Sequence, residues 1–245
     1  MKYAVVIPAR YQSSRFPGKP LIDLCGKTMI QHVWERCCTA VDAELVYIAT
    51  DSEKIEEVCI GFGAKVLMTS PNCMTGTDRL AEANKKLNAD FIINVQGDEP
   101  LVRPDDICKV IEAYKKEPGR VVNAMCKICS EEEFRSFTVP KVVVSKTNKL
   151  LYMSRSPIPI SKNGEFFSAY KQVCIYAFSK EHLNFFAQHQ QKTTIEQIED
   201  IEILRLLEND ISVQMVEVES STVAVDVPDD VQSVLSLMNC NITSG

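Results

Sequence analysis

YAVVIPARYQSSRFPGKPL, residues 3–21, decides how the rest of the chain is read. Its opening YAVVIP is short and almost wholly apolar, the pattern of a strand covered on both faces. The run stops abruptly, and Arg10, Arg15 and Lys19 follow within ten residues. The loop fits neither glycine-rich phosphate pattern. G-x-x-x-x-G-K-[ST] is absent, and residues 9–19 hold a single glycine, Gly18. An anion bound here would be held by side-chain cations and backbone N–H groups, with Arg gripping phosphate oxygens in bidentate fashion and Lys acting as a point charge. The competing reading is a solvated surface loop.

Outward from this strand, apolar runs and helical patterns alternate. TMIQHVWERC (28–37) gathers Met29, Ile30, Val33, Trp34 and Cys37 on one helical face. AELVYIAT (43–50) predicts a strand, after which Asp51 and Ser52 offer N-cap chemistry to a helix beginning EKIEEV. AKVLMT (64–69) predicts a third strand, TDRLAEANKKL (77–87) a helix with acids early and lysines late, and DFIINV (90–95) a fourth strand. Pro104 opens the next helix. Alternation with near-continuous apolar strands implies an α/β fold with a mostly parallel sheet and right-handed crossovers. Beyond residue 120 the pattern loosens. VVNAMCKI, KVVVSK, KLLYMS, QVCIYAF and SVQMVEV read as strands with some antiparallel pairing, TTIEQIEDIEILRLLEND (193–210) as one amphipathic helix, and PDDVQSVLSLM as a final helix.

The 245 residues carry a net charge of −6, a balance that argues against nucleic-acid or membrane-surface binding and makes the cations near residue 10 a local anion site. The first apolar run is too short for a signal segment, and no apolar run reaches the ~18 residues a membrane span needs, so a cytoplasmic location is expected. Of ten cysteines only Cys126 and Cys129 form C-x-x-C, without a second ligand pair, and they read as buried small residues. Three histidines, His32, His182 and His189, all fall on expected helices, which disfavours zinc hydrolysis and Ser-His-Asp chemistry.

In an open α/β sheet, ligands sit at the carboxyl ends of the strands. Residues just beyond the first four strands should therefore converge: Arg10 to Lys19, Asp51, the segment with Thr77 and Arg79, and Gln96 with Asp98. Cations beside a carboxylate suit a nucleoside triphosphate with Mg²⁺. Asp98 in VQGDEP either holds that metal or opens a turn before Pro100. Asp226 in AVDVPDD is a weaker second metal candidate, while Asp229 and Asp230 serve the next helix. Glu196, Glu199, Glu202 and Arg205, spaced by three, read mainly as a solvated acidic stripe with an i,i+3 pair, leaving one glutamate for a sugar hydroxyl.

Taken in order, PARYQSSRFPGKPL, ATDSE (49–53), TGTDRLAEA (75–83), NVQGDEPLV (94–102), SRSPIP (154–159), IYAF (175–178), E-x-x-E-x-x-E-x-x-R (196–205) and VDVPDD (225–230) resemble the 3-deoxy-manno-octulosonate (Kdo) cytidylyltransferases over nearly the whole chain. That resemblance implies a Rossmann-like nucleotidyltransferase fold, a single domain over 1–245 with a sugar-binding and dimerising part near 130–210, and a homodimer. It implies transfer of CMP from CTP to the anomeric hydroxyl of Kdo with release of pyrophosphate, using Mg²⁺. By motif, Arg10, Ser14, Arg15 and Lys19 would face the CTP phosphates, with Lys19, Arg15 and Asp98 catalytic, and Asp98 and Asp226 would bind the metal. Thr77 and Arg79 would lie near the nucleotide, and Gln96, Gln172, Tyr176 and Glu202 would line the sugar pocket.

Two positions depart from the family pattern: Gln172 where a histidine is usual, and Ile203 where a glutamine is usual. A glutamine carries no charge and an isoleucine side chain makes no hydrogen bond. The alternative acceptor is therefore amino-Kdo, another sugar acid or a phosphonate. A non-catalytic nucleotide-binding protein is disfavoured by the joint presence of Lys19, Asp98 and Asp226, and a nucleotide-sugar glycosyltransferase by the absence of a regular D-x-D.

Overall fold

The structure is a computed structural model that describes residues 1–12, 16–189, 191–219 and 224–242, with side chains as far as Met238. Nine strands form its main sheet: β1 (Tyr3–Ala9), β2 (Val46–Thr50), β3 (Lys65–Met68), β4 (Phe91–Val95), β5 (Val121–Lys127), β6 (Lys141–Val144), β7 (Leu150–Ser154), β8 (Tyr170–Ser179) and β9 (Val213–Glu217). The helices are α1 (Met29–Ala40), α2 (Glu53–Gly61), α3 (Gly76–Leu87), α4 (Pro104–Lys116), α5 (Glu131–Arg135), α6 (Lys180–Gln188), α7 (Thr194–Glu199), α8 (Leu204–Leu207) and α9 (Asp230–Ile242).

The strand order is β9-β5-β8-β4-β1-β2-β3, with β6 paired to β8 and β7 beyond it. β1 pairs in parallel with β2 on one side and with β4 on the other. The chain therefore winds from β1 through β2 to β3 on one side and crosses back to β4 on the other, and a crevice opens between the carboxyl ends of β1 and β4. β8 runs antiparallel to both β4 and β5, while β9 returns parallel to β5. The mixed pairing expected of the second half is thus built onto the same sheet.

Alternation along β1 assigns its residues to two cores. Val5 and Ile7 face α1, α2 and α4, packing with Ile30, Val33, Ile55, Ile107 and Val110. Ala4 and Val6 face α3, α6 and α8, packing with Leu80, Leu183, Phe186 and Leu204. Burial of both strand faces is what the unbroken apolar runs require.

Three local expectations change. Residues 43–45 form a 3-10 turn capped by Asp42, so β2 begins only at Val46. Ser52 stands at the N-cap of α2 without a side-chain bond, because backbone position rather than its hydroxyl starts that helix. The single helix expected over 193–210 is two short helices, since Asp200 adopts the left-handed conformation (φ 52°) and ends α7. A short polar Asp tolerates that conformation better than most residues.

Candidate active site

The crevice depends first on close backbone approach. A Cβ on Gly97 would lie 2.8 Å from the Pro8 carbonyl oxygen, so only glycine lets the chain leaving β4 pass against β1. Gly18 (φ 73°) reverses the opening loop, and its N–H donates to the Tyr11 carbonyl at 2.8 Å. The reversal delivers Lys19 into the crevice. Its ammonium donates to Asp98 Oδ2 at 2.8 Å and to the Val225 carbonyl at 2.7 Å, and lies 3.7 Å from Asp226 Oδ1. The segment bearing Asp226 is docked by the Val225 N–H on the Asp98 carbonyl (2.9 Å), and Asp230 accepts from the N–H groups of Asp226 and Val227. Three segments far apart in the chain thus meet at one ammonium.

Around this point lies a cleft of about 1110 Å³ whose lining includes Arg10, Lys19, Gln96, Asp98, Arg155 and Asp226. Arg10 is exposed. Among the described residues no cluster of three or more His, Cys, Asp or Glu side chains is arranged to hold a metal. Asp98 and Asp226 nevertheless offer oxygen donors on either side of one cationic position. That set suits Mg²⁺, which takes one or two protein carboxylates and completes its shell with phosphate oxygens and water.

Another part of the cleft wall is built by the break at Asp200. It turns Glu202 onto the start of α3, where its carboxylate accepts from the N–H groups of Gly76 (3.2 Å) and Thr77 (3.3 Å) and from the Thr77 hydroxyl. Burial raises the Glu202 pKa, opposed by the bonds from Thr77 and Gly76. Tyr176, buried on β8, has its phenol raised by burial and then by Cys174 and Glu202. Cys174 is raised in turn by burial and by the negative charges of Glu99 and Asp98.

The expected site residues separate into groups. Lys19, Asp98 and Asp226 come together, and Arg10, Gln96, Gln172, Tyr176 and Glu202 line the same cleft. Ser14 and Arg15 lie outside the described residues. Thr77 is buried with its hydroxyl on Glu202, and Arg79, also buried, spends its guanidinium on Thr69 and Asp51 while touching the cleft wall. Both shape the wall through these bonds.

The acidic stripe is corrected outright. Glu196 and Arg205 are fully buried and pair through two 2.7 Å bonds, because the break lets α8 fold back on α7. Glu199 accepts from the Ser154 hydroxyl and the Arg155 N–H. Arg155 had no role in the expectations beyond its place in SRSPIP. It lines the cleft and donates to the carbonyls of Phe137, Glu199 and Asp200. Asn123, buried in β5, gave no signal within an apolar strand.

A cytidylyltransferase family model matches residues 4–215. The 3-deoxy-manno-octulosonate cytidylyltransferase of Escherichia coli is 40% identical over 97% of this chain and 96% of its own length. The chain belongs to the Kdo cytidylyltransferase family. A solved structure described as CMP:2-keto-3-deoxy-manno-octonic acid synthetase complexed with CTP superposes with a TM-score of 0.89 at 40% identity, covering 98% of this chain and all of that one. An 8-amino-3,8-dideoxy-manno-octulosonate cytidylyltransferase of Shewanella baltica (strain OS195) is 38% identical over 95% of this chain and 96% of its own length. The Kdo cytidylyltransferase family is one of nucleotidyltransferases. The switch-point crevice with its Lys19–Asp98–Asp226 cluster therefore lies in a fold whose relatives carry a nucleotide in their names or their structures. No described helix is long and apolar enough to cross a membrane.

Proposed function

We propose that this chain transfers CMP from CTP to the anomeric hydroxyl of Kdo or a close Kdo-like acid, releasing pyrophosphate. The observation that carries this reading is the meeting of Lys19, Asp98 and Asp226 at the β1/β4 switch point, in the lining of a cleft large enough for both substrates. Arg10 and Lys19 would bind and orient the triphosphate, and Lys19 would stabilise charge developing on the leaving pyrophosphate. Asp98 and Asp226 would hold Mg²⁺, whose chemistry when bound is to neutralise the triphosphate and polarise its α-phosphoryl group. The cleft wall built on Glu202, Tyr176 and Gln172 would position the sugar acid so that its hydroxyl lies in line with the α-phosphorus, and positioning supplies much of the rate. No described side chain is assigned as a general base.

The described cysteines from Cys37 to Cys174 are free thiols, which suits a reducing cytoplasm. The exposed apolar side chains Phe137, Leu151, Phe167 and Ile198, all within 130–210, support a homodimer formed through that part.

The 8-amino acid is the second reading, favoured by Gln172 and by the Shewanella relative at nearly the same identity. The test is pyrophosphate release from CTP and Mg²⁺ with Kdo, 8-amino-Kdo, other sugar acids and a phosphonate in parallel. Release with Kdo is expected. Release with another acid alone would move the assignment to that acid, and none with any acceptor would overturn the reading.

A further inference from the structure

Gln172 lines the cleft in a setting that fixes which way its amide faces. On β8 the pairing with β5 slips between Val173, opposite Ala124, and Tyr176, opposite Asn123, leaving a bulge. Bulges commonly re-aim side chains beside active sites. Here Asn123, wholly buried, fills the irregularity, and its Nδ2 donates to the carbonyls of Val173 (2.9 Å) and Ile175 (3.0 Å). Both partners are carbonyl oxygens, which only accept, so the nitrogen of Asn123 must face them and its Oδ1 must face away. That oxygen also only accepts, and it takes its hydrogen bond from Gln172 Nε2 at 3.1 Å. Turning either amide over would set two oxygens against each other in a buried position, so the network allows one orientation.

The consequence reaches the cleft. With its nitrogen held by Asn123 and its main-chain N–H held by the Pro140 carbonyl at 3.0 Å, Gln172 keeps Oε1 as the atom free of both anchors. We infer that Gln172 presents Oε1 to the sugar acid as a hydrogen-bond acceptor, so that the group meeting that oxygen is a donor, a hydroxyl or an ammonium. Asn123 is the positioning residue that sets this polarity. A protonated histidine at the same point would have the opposite polarity, since both of its nitrogens donate. The inference rests on the cytidylyltransferase reading above.

The test is steady-state kinetics of the full chain with CTP, Mg²⁺, Kdo, 8-amino-Kdo and a set of Kdo analogues each lacking one hydroxyl. Gln172→Leu should raise the KM for the acceptor roughly ten- to hundredfold, the range for stranding one polar group, and leave the KM for CTP unchanged. The loss should vanish for the one analogue that lacks the partner hydroxyl. Confinement of the loss to 8-amino-Kdo would identify the ammonium as the partner instead. An unchanged acceptor KM, or an equal loss with every analogue, overturns the inference. Asn123→Ser should raise the acceptor KM in the wild-type background and add nothing in the Gln172→Leu background. If that variant does not fold, the Gln172→Leu series still decides. Wild-type turnover with an unaffected Gln172→Leu variant would sink this inference alone, whereas no wild-type turnover with any acceptor would remove the functional reading and this inference with it.

Discussion

Lys19→Ala separates a catalytic cation from a structural one. The ammonium lies 2.8 Å from Asp98 and 3.7 Å from Asp226. Two unit charges about 4 Å apart near a protein surface attract by roughly 4 kcal/mol before other costs. Asp98 is 29% exposed and Asp226 44%, so water screens both, and the net contribution to stability should fall to about 1 kcal/mol or less. For a chain of this size, that amounts to a melting temperature lowered by only about 2–4 °C. In the proposed reaction the same charge would face the departing pyrophosphate inside a substrate-filled cleft, where losing one preorganised stabiliser typically costs at least ~10²-fold in kcat. The expected result is therefore a steep fall in pyrophosphate release with a nearly unchanged thermal transition. Asp98→Ala should fall by a similar factor. Turnover of Lys19→Ala within about threefold of wild type would refute the assignment, because a transition-state stabiliser cannot be removed so cheaply. A large drop in melting temperature alongside lost activity would refute the reasoning differently, by making Lys19 a structural pin between the Asp98 and Asp226 segments.

Three further outcomes follow from the geometry. Gly97→Ala would put a Cβ 2.8 Å from the Pro8 oxygen and 3.1 Å from Ile30 Cδ1, so urea unfolding should show a loss of about 1–3 kcal/mol, with reduced turnover as Asp98 moves relative to Lys19. Arg205→Leu strands the fully buried Glu196 and should cost roughly 3–5 kcal/mol in the same assay, while Glu196→Leu combined with Arg205→Leu should recover part of that loss. Glu202 binds its proton more tightly in the folded protein than in the unfolded chain, so its contribution to stability is fully present below the ordinary value of 4.5 and is lost as pH rises through the folded value. Glu202→Gln should accordingly flatten the decline of stability with pH relative to wild type, and parallel curves for the two proteins would contradict the raised pKa.

Much of the fold is legible because burial writes itself into strand composition. YAVVIP and DFIINV are apolar on both faces, and β1 and β4 prove to be covered on both. The positions just beyond those strands were readable for the same reason: a parallel sheet brings its carboxyl ends together whatever the loops contain. Lys19 and Asp98 could thus be paired from strand ends alone, and Asp226 only as a weaker candidate from an isolated motif. The acidic segment is not legible in the same way, because an Ile every three residues between glutamates matches an exposed amphipathic helix equally well. Nothing in that spacing says that Asp200 turns left-handed, or that Glu196 and Arg205 then close on each other in the core.

By itself the sequence determined the α/β class, the order of elements through the first half and the cation-then-carboxylate chemistry at the crevice, since hydrophobic period and strand-end position are local properties. Only the tertiary structure decided what each polar side chain does. A hydrogen bond has a direction and a length that depend on residues distant in the chain. Thr77 and Arg79 became wall supports because Glu202 and Asp51 reached them. Gln172 acquired an orientation because Asn123, on another strand, had already been fixed by a bulge.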